Sequence, residues 1–259
     1  MKMSGRSALV TGASGALGRI FSETLAEMGF DLLLVDREEI ALNNLAEGLM
    51  GSWGVNVELF ACDLENSDAR SALIEVIKGR SSLDVLVNNA AFVGDSNLEG
   101  WATPFEQQSL DTWRRALEVN LTAPFSLAQG LTPLLSRSPG ASIVNIGSIY
   151  GFLGPDWGLY EGTSMSNPAA YASSKGGLIQ LTRWLSTTLG PKIRVNCISP
   201  GGIARGQAVK FTNRYIARTP LGRMATEDDF RGAIAYFASD LSRYVTGQNL
   251  FVDGGWCVW

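Results

Sequence analysis

Short apolar runs alternate with longer segments of helical period along the whole chain, and this alternation limits the possible folds more than any other feature. The runs are SALVT (7–11), DLLLVD (31–36), VNVELFAC (55–62), LDVLVN (83–88), ASIVNIGS (141–148), IRVNCIS (193–199) and QNLFVD (248–253). Their near-continuous apolar character suits strands covered on both faces. Helical periodicity fills the intervals near 16–28, 37–50, 67–79, 109–135, 169–189 and 227–238. Repeated βα units with right-handed crossovers give an α/β fold: a doubly wound parallel sheet of about seven strands, helices on both faces, ligands at the carboxyl ends of the strands. Segments 91–108, 149–168 and 200–225 break the rhythm; all follow strands and are expected over the ligand crevice. With no linker, internal repeat or low-complexity tract, residues 1–259 are expected to form a single domain.

The residue inventory removes whole classes of chemistry. The chain has no histidine, so imidazole bases, His-Asp triads and the commonest metal ligand are unavailable. Cys62, Cys197 and Cys257 are far apart and form no CxxC, so neither a disulfide framework nor a zinc site is expected, and no metal is expected at all. A formal charge of -4 argues against the broad basic surface that grips nucleic acid. MKMSGRSALVTG has no apolar run of signal-peptide length and no later stretch reaches a membrane span, so the expected location is the cytoplasm, with no membrane partner.

Directly after the first strand comes Thr11-Gly12-Ala13-Ser14-Gly15-Ala16-Leu17-Gly18, opening a helix. Glycines let the backbone turn tightly and approach a pyrophosphate, while free N–H groups and the helix dipole favour its charge. The second strand ends in Asp36-Arg37, a carboxylate about twenty residues downstream, the distance at which it accepts hydrogen bonds from an adenosine ribose. This is a Rossmann-type dinucleotide site. Asp36 repels a 2′-phosphate and favours NAD; Arg37 either stacks on adenine or neutralises a 2′-phosphate, which keeps NADP open.

Tyr171 and Lys175 stand four residues apart on an expected helix and so share one face. A phenol with a pKa near 10 is a poor base at neutral pH. A neighbouring ammonium and a cationic nicotinamide both favour the phenolate and are expected to lower that value.

Taken together, the glycine turn, Asp63 in ACDL, Asn88-Asn89-Ala90, Asn120 in EVNL, Ser148 in NIGS, YASSK, Pro200-Gly201 and the closing VDGG resemble the single-domain short-chain dehydrogenase/reductases over essentially the full chain. The resemblance implies an oxidoreductase that moves a hydride between NAD or NADP and a carbinol or carbonyl carbon. It makes Tyr171 the general acid/base and has Ser148 hold the substrate oxygen. Lys175 then binds the nicotinamide ribose and lowers the Tyr171 pKa, and Asn120 maintains a water-linked proton relay. On the cofactor side it places Gly12, Ser14, Gly15, Ala16, Leu17 and Gly18 at the phosphates, and Asp63 with Leu64 at the adenine. Asn89 and Ala90 fall on the adenosine ribose side, Pro200 and Gly201 beside the cofactor, and Ile203 at the carboxamide. Many relatives are tetramers built on helices corresponding to 109–135 and 169–189, so a homo-oligomer, dimer or tetramer, is expected. The apolar tail LFVDGGWCVW is a further candidate for an interface.

Two departures bear on the substrate. The family usually has glycine where this chain has Ala16, with Gly15 one place earlier. The interval from Ser148 to Tyr171 is about ten residues longer than usual; Tyr160 lies at a more familiar distance, but position 164 is serine, which keeps Tyr171. The added segment carries Phe152, Trp157 and Tyr160 beside Asp156 and Glu161. These residues suit either stacking on a sugar ring or pinning a long loop. Residues 201–223 hold Arg205, Lys210, Arg214, Arg218 and Arg223 without a carboxylate. That is either a cationic lid for an anionic substrate, such as a sugar phosphate or sugar nucleotide, or a solvated helix. Trp157, Tyr160 and Arg205 are the candidate substrate contacts, and Arg205 stands where relatives often have a threonine near the nicotinamide amide. YEGTSMSNPAAY resembles bacterial reductases of surface-sugar and flagellin-glycan pathways. The readings that remain beside a sugar oxidoreductase are an acyl-carrier or small-ketone reductase, an enzyme using NAD transiently for epimerisation or dehydration, and a catalytically silent NAD-binding sensor or scaffold.

Overall fold

Alternate residues of the strands face opposite sides of one sheet, and each side has its own helices. The computed structural model describes residues 3–93 and 98–259; residues 1–2 and 94–97, the latter within the expected 91–108 loop, lie outside the described residues. The strands are β1 (Ser7–Thr11), β2 (Asp31–Asp36), β3 (Val57–Ala61), β4 (Val85–Asn88), β5 (Ala141–Ile146), β6 (Ile193–Pro200) and β7 (Asn249–Val252). All pair in parallel in the order β3-β2-β1-β4-β5-β6-β7. The helices are α1 (Ala16–Glu27), α2 (Glu39–Trp53), α3 (Ser67–Lys78), α4 (Leu110–Leu117), α5 (Ala123–Leu135), α6 (Ala169–Leu189), α7 (Val209–Ala217) and α8 (Arg231–Ala238).

On one face Ala8, Val10, Leu32, Leu34 and Val87 pack with Phe21 and Leu25 of α1, Leu42 and Leu49 of α2, and Ile234 and Phe237 of α8. On the other, Leu9, Leu33, Val35 and Leu86 pack with Leu73 and Ile77 of α3, Leu127 and Leu131 of α5, and Leu185 of α6. Each fully buried Leu or Phe stabilises the fold by about 1.5–3 kcal/mol relative to exposure, so covering both faces is what makes a sheet whose five inner strands lack polar alternation stable. The strand order reverses between β1 and β4, and the chain leaves these strands in opposite directions, opening a crevice at their carboxyl ends.

Two expectations are corrected. The single helix expected over 109–135 is α4 and α5 joined by a π-turn at Glu118–Thr122 that carries Asn120, with Pro124 in the first turn of α5. Such π-turns reorient one residue of a helix and recur at functional sites. Segment 200–225, expected to be irregular, contains α7, which sets Phe211 and Tyr215 one turn apart against Tyr160, Met224 and Trp256. No helix among the described residues is long and apolar enough to cross a membrane, and no group of three or more Cys, Asp or Glu side chains is arranged to hold a metal.

Candidate active site

The glycine turn leaves β1 and enters α1 with no side chain capping the helix: Gly15 is the N-cap residue, and the N–H groups of the first turn face the crevice without a side-chain acceptor. Gly12 has φ +62° and a Cβ there would meet the Ala90 backbone at 2.8 Å; at Gly18 it would lie 2.0 Å from the Gly12 carbonyl oxygen. The helix can therefore approach the loop only with glycine at both positions. Ala16, where relatives have glycine, sits at the first helical position with no distortion of the turn, whose Gly15 N–H donates to the Gly12 carbonyl at 3.2 Å. Thr11, which the motif includes without a role of its own, ties this turn to β4. Its hydroxyl accepts from the N–H groups of Asn89 and Ala90, both at 3.0 Å, and the Asn89 amide donates to the carbonyls of Thr11 and Gly12 at 2.9 and 3.0 Å.

Beyond the turn, Asp36 is held at the end of β2. One carboxylate oxygen accepts from the Ser14 N–H at 2.9 Å and the Ser14 hydroxyl at 2.7 Å, the other from the Arg37 N–H at 2.7 Å. Ser14 thus positions Asp36 and does not itself line the crevice. The crevice has a volume of about 780 Å³, and its walls include Gly12, Gly15, Ala16, Leu17, Gly18, Asp36, Arg37, Asp63, Leu64, Asn89, Ala90, Ser148, Tyr171, Lys175, Pro200, Gly201, Ile203 and Arg205. Sequence reasoning missed several wall residues. Arg115 pairs with Glu65 at 2.7 Å and lies 4.8 Å over the Phe92 ring, and Gln207 bonds to the Ile203 carbonyl. Neither belongs to a motif, because each reaches the wall from an element whose orientation is set by tertiary packing. A glycine cradle, uncapped helical N–H groups and a poised carboxylate fit a dinucleotide.

At the other end of the crevice, Ser148 caps a short 3-10 turn, its hydroxyl accepting from the Tyr150 N–H at 3.2 Å, and lines the wall beside Tyr171, near enough to lower the phenol's pKa. It serves both as a loop cap and as a neighbour of Tyr171. The Lys175 ammonium is buried, donates to the Ile146 carbonyl at 2.7 Å and lies 5.9 Å from the Tyr171 ring centre. Burial pushes its pKa down to about 8. Burial is also the largest influence on Tyr171 and raises its pKa, against opposing contributions from the Ser148 hydroxyl and the Arg205 charge. The protein's own residues therefore do not lower the Tyr171 pKa as expected from Lys175 and a cationic nicotinamide together, and the phenol is protonated at neutral pH.

Asn120 does not line the crevice. Its side-chain oxygen accepts from the Phe92 N–H at 2.6 Å, and its amide donates to the Phe92 carbonyl at 3.1 Å and to the Ser174 hydroxyl at 3.0 Å. The Ser174 hydroxyl in turn donates to the Tyr171 carbonyl at 2.9 Å. The Asn120 side chain thus fastens the segment after β4 to the turn that carries Tyr171.

The added loop does not place Trp157 or Tyr160 in the crevice. Tyr160 is buried, its hydroxyl bonded to that of Tyr150 at 2.6 Å, in an aromatic row running Trp157–Tyr160–Phe211–Tyr215–Trp256 with ring centres 5.4–5.9 Å apart. Trp157 is exposed and borders a separate cavity with Phe105 and Met165. Asp156 is paired with Arg218 and caps Gly158. Of the two roles weighed for these aromatics, the structure realises loop pinning. The cationic lid is largely neutralised as well: Arg214 donates to the carbonyls of Leu159 and Glu161, Arg223 pairs with Asp229, and Arg205 with Glu227. Among the five cations only Arg205 lines the crevice.

Comparison with known proteins agrees with this geometry. The family described as enoyl-(acyl carrier protein) reductase matches residues 12–257. Nodulation protein G of Rhizobium meliloti is 34% identical over 262 residues, covering 98% of each chain. A gluconate 5-dehydrogenase from Beutenbergia cavernae, described as putative and NAD(P)-dependent and bearing NADP at low occupancy, superposes with a TM-score of 0.88 at 31% identity. That match covers 100% of this chain and 99% of the other. A short-chain dehydrogenase from Leptospira borgpetersenii with bound NAD+ gives a TM-score of 0.84 at 32% identity, covering 98% and 94% of the two chains.

Proposed function

The chain belongs to the short-chain dehydrogenase/reductase family, NAD(P)-dependent enzymes acting on a CH–OH group, and from that premise we propose that Tyr171 is its general acid/base and a polyhydroxylated carbonyl compound of the sugar class its substrate. One observation carries the reading: the hydroxyls of Ser148 and Tyr171 converge at one end of a dinucleotide-shaped crevice, with Lys175 one helical turn beyond. When bound, the nicotinamide supplies or takes up the hydride. Ser148 donates a hydrogen bond to the substrate oxygen and stabilises the charge that grows on it. As the carbonyl carbon gains the hydride, the C=O electron pair moves to oxygen and Tyr171 gives that oxygen its proton; oxidation reverses both transfers. Lys175 holds the ribose, and the proton that Tyr171 gives up is replaced from solvent. Asn120 fixes the turn carrying Tyr171 and takes part in a relay only through its main chain, since its amide is already engaged.

Asp36, held at the crevice wall by Ser14 and the Arg37 N–H, favours NAD over NADP. The likeness to a gluconate 5-dehydrogenase supports the sugar class, whereas the family description favours a second reading, reduction of an acyl chain on a carrier protein. Initial rates with NADH and NADPH on ketoses, sugar phosphates, keto-sugar acids and a 3-oxoacyl thioester separate them. Turnover of the polyhydroxylated compounds with NADH preferred is the expected result; turnover confined to the thioester would replace the sugar reading.

A further inference from the structure

Charge is unevenly distributed along the crevice. Asp36, Arg37, Asp63, Glu65 and Arg115 flank the end built from β2, β3 and α4, whereas at the end holding Ser148 and Tyr171 the charged side chains among the described wall residues are Lys175 and Arg205. Lys175 is buried and bonded to the Ile146 carbonyl. Arg205 is half-exposed, and its charge reaches the Tyr171 phenol, so its guanidinium stands within electrostatic range of the reacting oxygen.

The loop presents this arginine in a fixed way. The Arg205 N–H donates to the Gln207 side-chain oxygen at 2.7 Å, and the Gln207 amide donates to the Ile203 carbonyl at 2.6 Å, so the backbone from 203 to 207 is bonded to itself. The guanidinium uses only its Nε, which donates to Glu227 at 3.0 Å; its two terminal nitrogens have no bonded partner among the described residues. Those nitrogens are the fork that matches a carboxylate or phosphoryl group. Glu227 retains contact with solvent, so a partly exposed pair of this kind contributes little.

We infer that Arg205 is a specificity-determining residue that binds, on its two terminal nitrogens, an anionic group of the substrate, a carboxylate or phosphoryl close to the reacting carbon, while Glu227 holds the guanidinium through Nε and offsets part of its charge. This rests on the hydride-transfer reading above for its biological meaning, but its test does not. Calorimetry on the NADH-loaded enzyme with malonate, and separately with inorganic phosphate, measures the site directly; the tighter of the two identifies the anion. Arg205→Met is expected to weaken the favoured anion roughly tenfold or more, as loss of a charged hydrogen bond does, with Arg205→Lys intermediate. Glu227→Gln should tighten it, and Arg223→Gln, which alters a lid cation outside the crevice, should leave it unchanged. Absence of anion binding in the wild type, or binding insensitive to Arg205→Met, overturns the inference. A parallel loss of NADH affinity in Arg205→Met also overturns it, because the guanidinium would then serve the cofactor's own phosphates. Turnover of acetoacetate and methyl acetoacetate is followed alongside: anion binding through Arg205 without reduction of any carbonyl compound would fault the hydride-transfer reading and leave this one standing.

Discussion

At the level of single residues, the site is dominated by desolvation. Lys175 has its pKa pushed down to about 8 from 10.5 by burial, so below pH 8 the folded protein carries a charge that it would rather not hold. The sign follows from proton counts: between about 8 and 10.5 the unfolded chain binds the proton and the folded one does not, so this group's contribution to stability rises with pH across that window. Below it the penalty is constant, on the order of 3 kcal/mol. Lys175→Met should therefore raise the melting temperature at pH 7 while reducing hydride transfer, and the advantage should shrink as the pH approaches 10.5. Denaturation at several pH values checks this; a variant less stable than wild type at pH 7 contradicts it. The raised Tyr171 pKa gives a kinetic counterpart. Carbonyl reduction, which needs the protonated phenol, should be level through neutrality and fall in the alkaline range, while oxidation climbs there. A reduction rate that climbs through the alkaline range would remove Tyr171 from the role of proton donor. Roles at this scale were only partly legible in the sequence. The i,i+4 spacing of Tyr171 and Lys175 places them on one helix, but whether field or burial controls the phenol depends on what surrounds it.

At the level of elements, the glycine turn gives the sharpest contrast. A Cβ at Gly18 would sit 2.0 Å from the Gly12 carbonyl oxygen, one at Gly15 a tolerable 3.3 Å from the same atom. Gly18→Ala should push α1 away from the loop, costing roughly 1–3 kcal/mol of stability and most of the NAD affinity, whereas Gly15→Ala should retain cofactor binding. Equal losses in the two variants, measured by NADH titration and melting, would mean that the helix does not need this close approach. The apolar runs of the five inner strands were readable because both faces of the sheet are covered there, so burial imposes no polar alternation; the edge strands β3 and β7, with no buried residue, were readable only from their apolar composition. The π-turn was not, since Glu118-Val119-Asn120 continues the helical periodicity on either side, and only the packing of Asn120 against Phe92 and Ser174 shows why the backbone widens there. Helix α7 escaped for a related reason. It is short and strongly cationic, and its apolar face, Phe211 and Tyr215, is matched by aromatics from the 149–168 loop and the C-terminal tail, far away in sequence. Likewise Trp157 and Tyr160 had the composition of a sugar platform; the partners that turn them into a loop anchor became visible only in three dimensions.

For the whole molecule, the order of strands places every cofactor motif at one edge of the sheet although the motifs lie from residue 12 to residue 203. That convergence was inferable from β–α alternation and right-handed crossovers, which bring carboxyl ends of parallel strands together whatever the side chains. The dimer or tetramer that the family resemblance implies, on segments 109–135 and 169–189, is a proposal for which surface chemistry on α5 and α6 offers support. Phe125 and Trp184 are respectively 40% and 55% exposed on those helices, and a large aromatic left in water gains about 1.5–3 kcal/mol when covered. Light scattering should find a dimer or tetramer at micromolar concentration, and Trp184→Glu should shift it toward monomer; a wild-type monomer would refute the assembly. The central claim is that Tyr171 delivers a proton to a carbonyl oxygen as the adjoining carbon receives a hydride. Its most direct test is single-turnover reduction with NADH deuterated at the transferred position, read by mass spectrometry of the product. The wild type should yield the deuterated alcohol, and Tyr171→Phe, still binding NADH with undiminished affinity, should be slower by about 10²–10⁴-fold. A Tyr171→Phe enzyme that transfers deuterium at the wild-type rate would contradict the account.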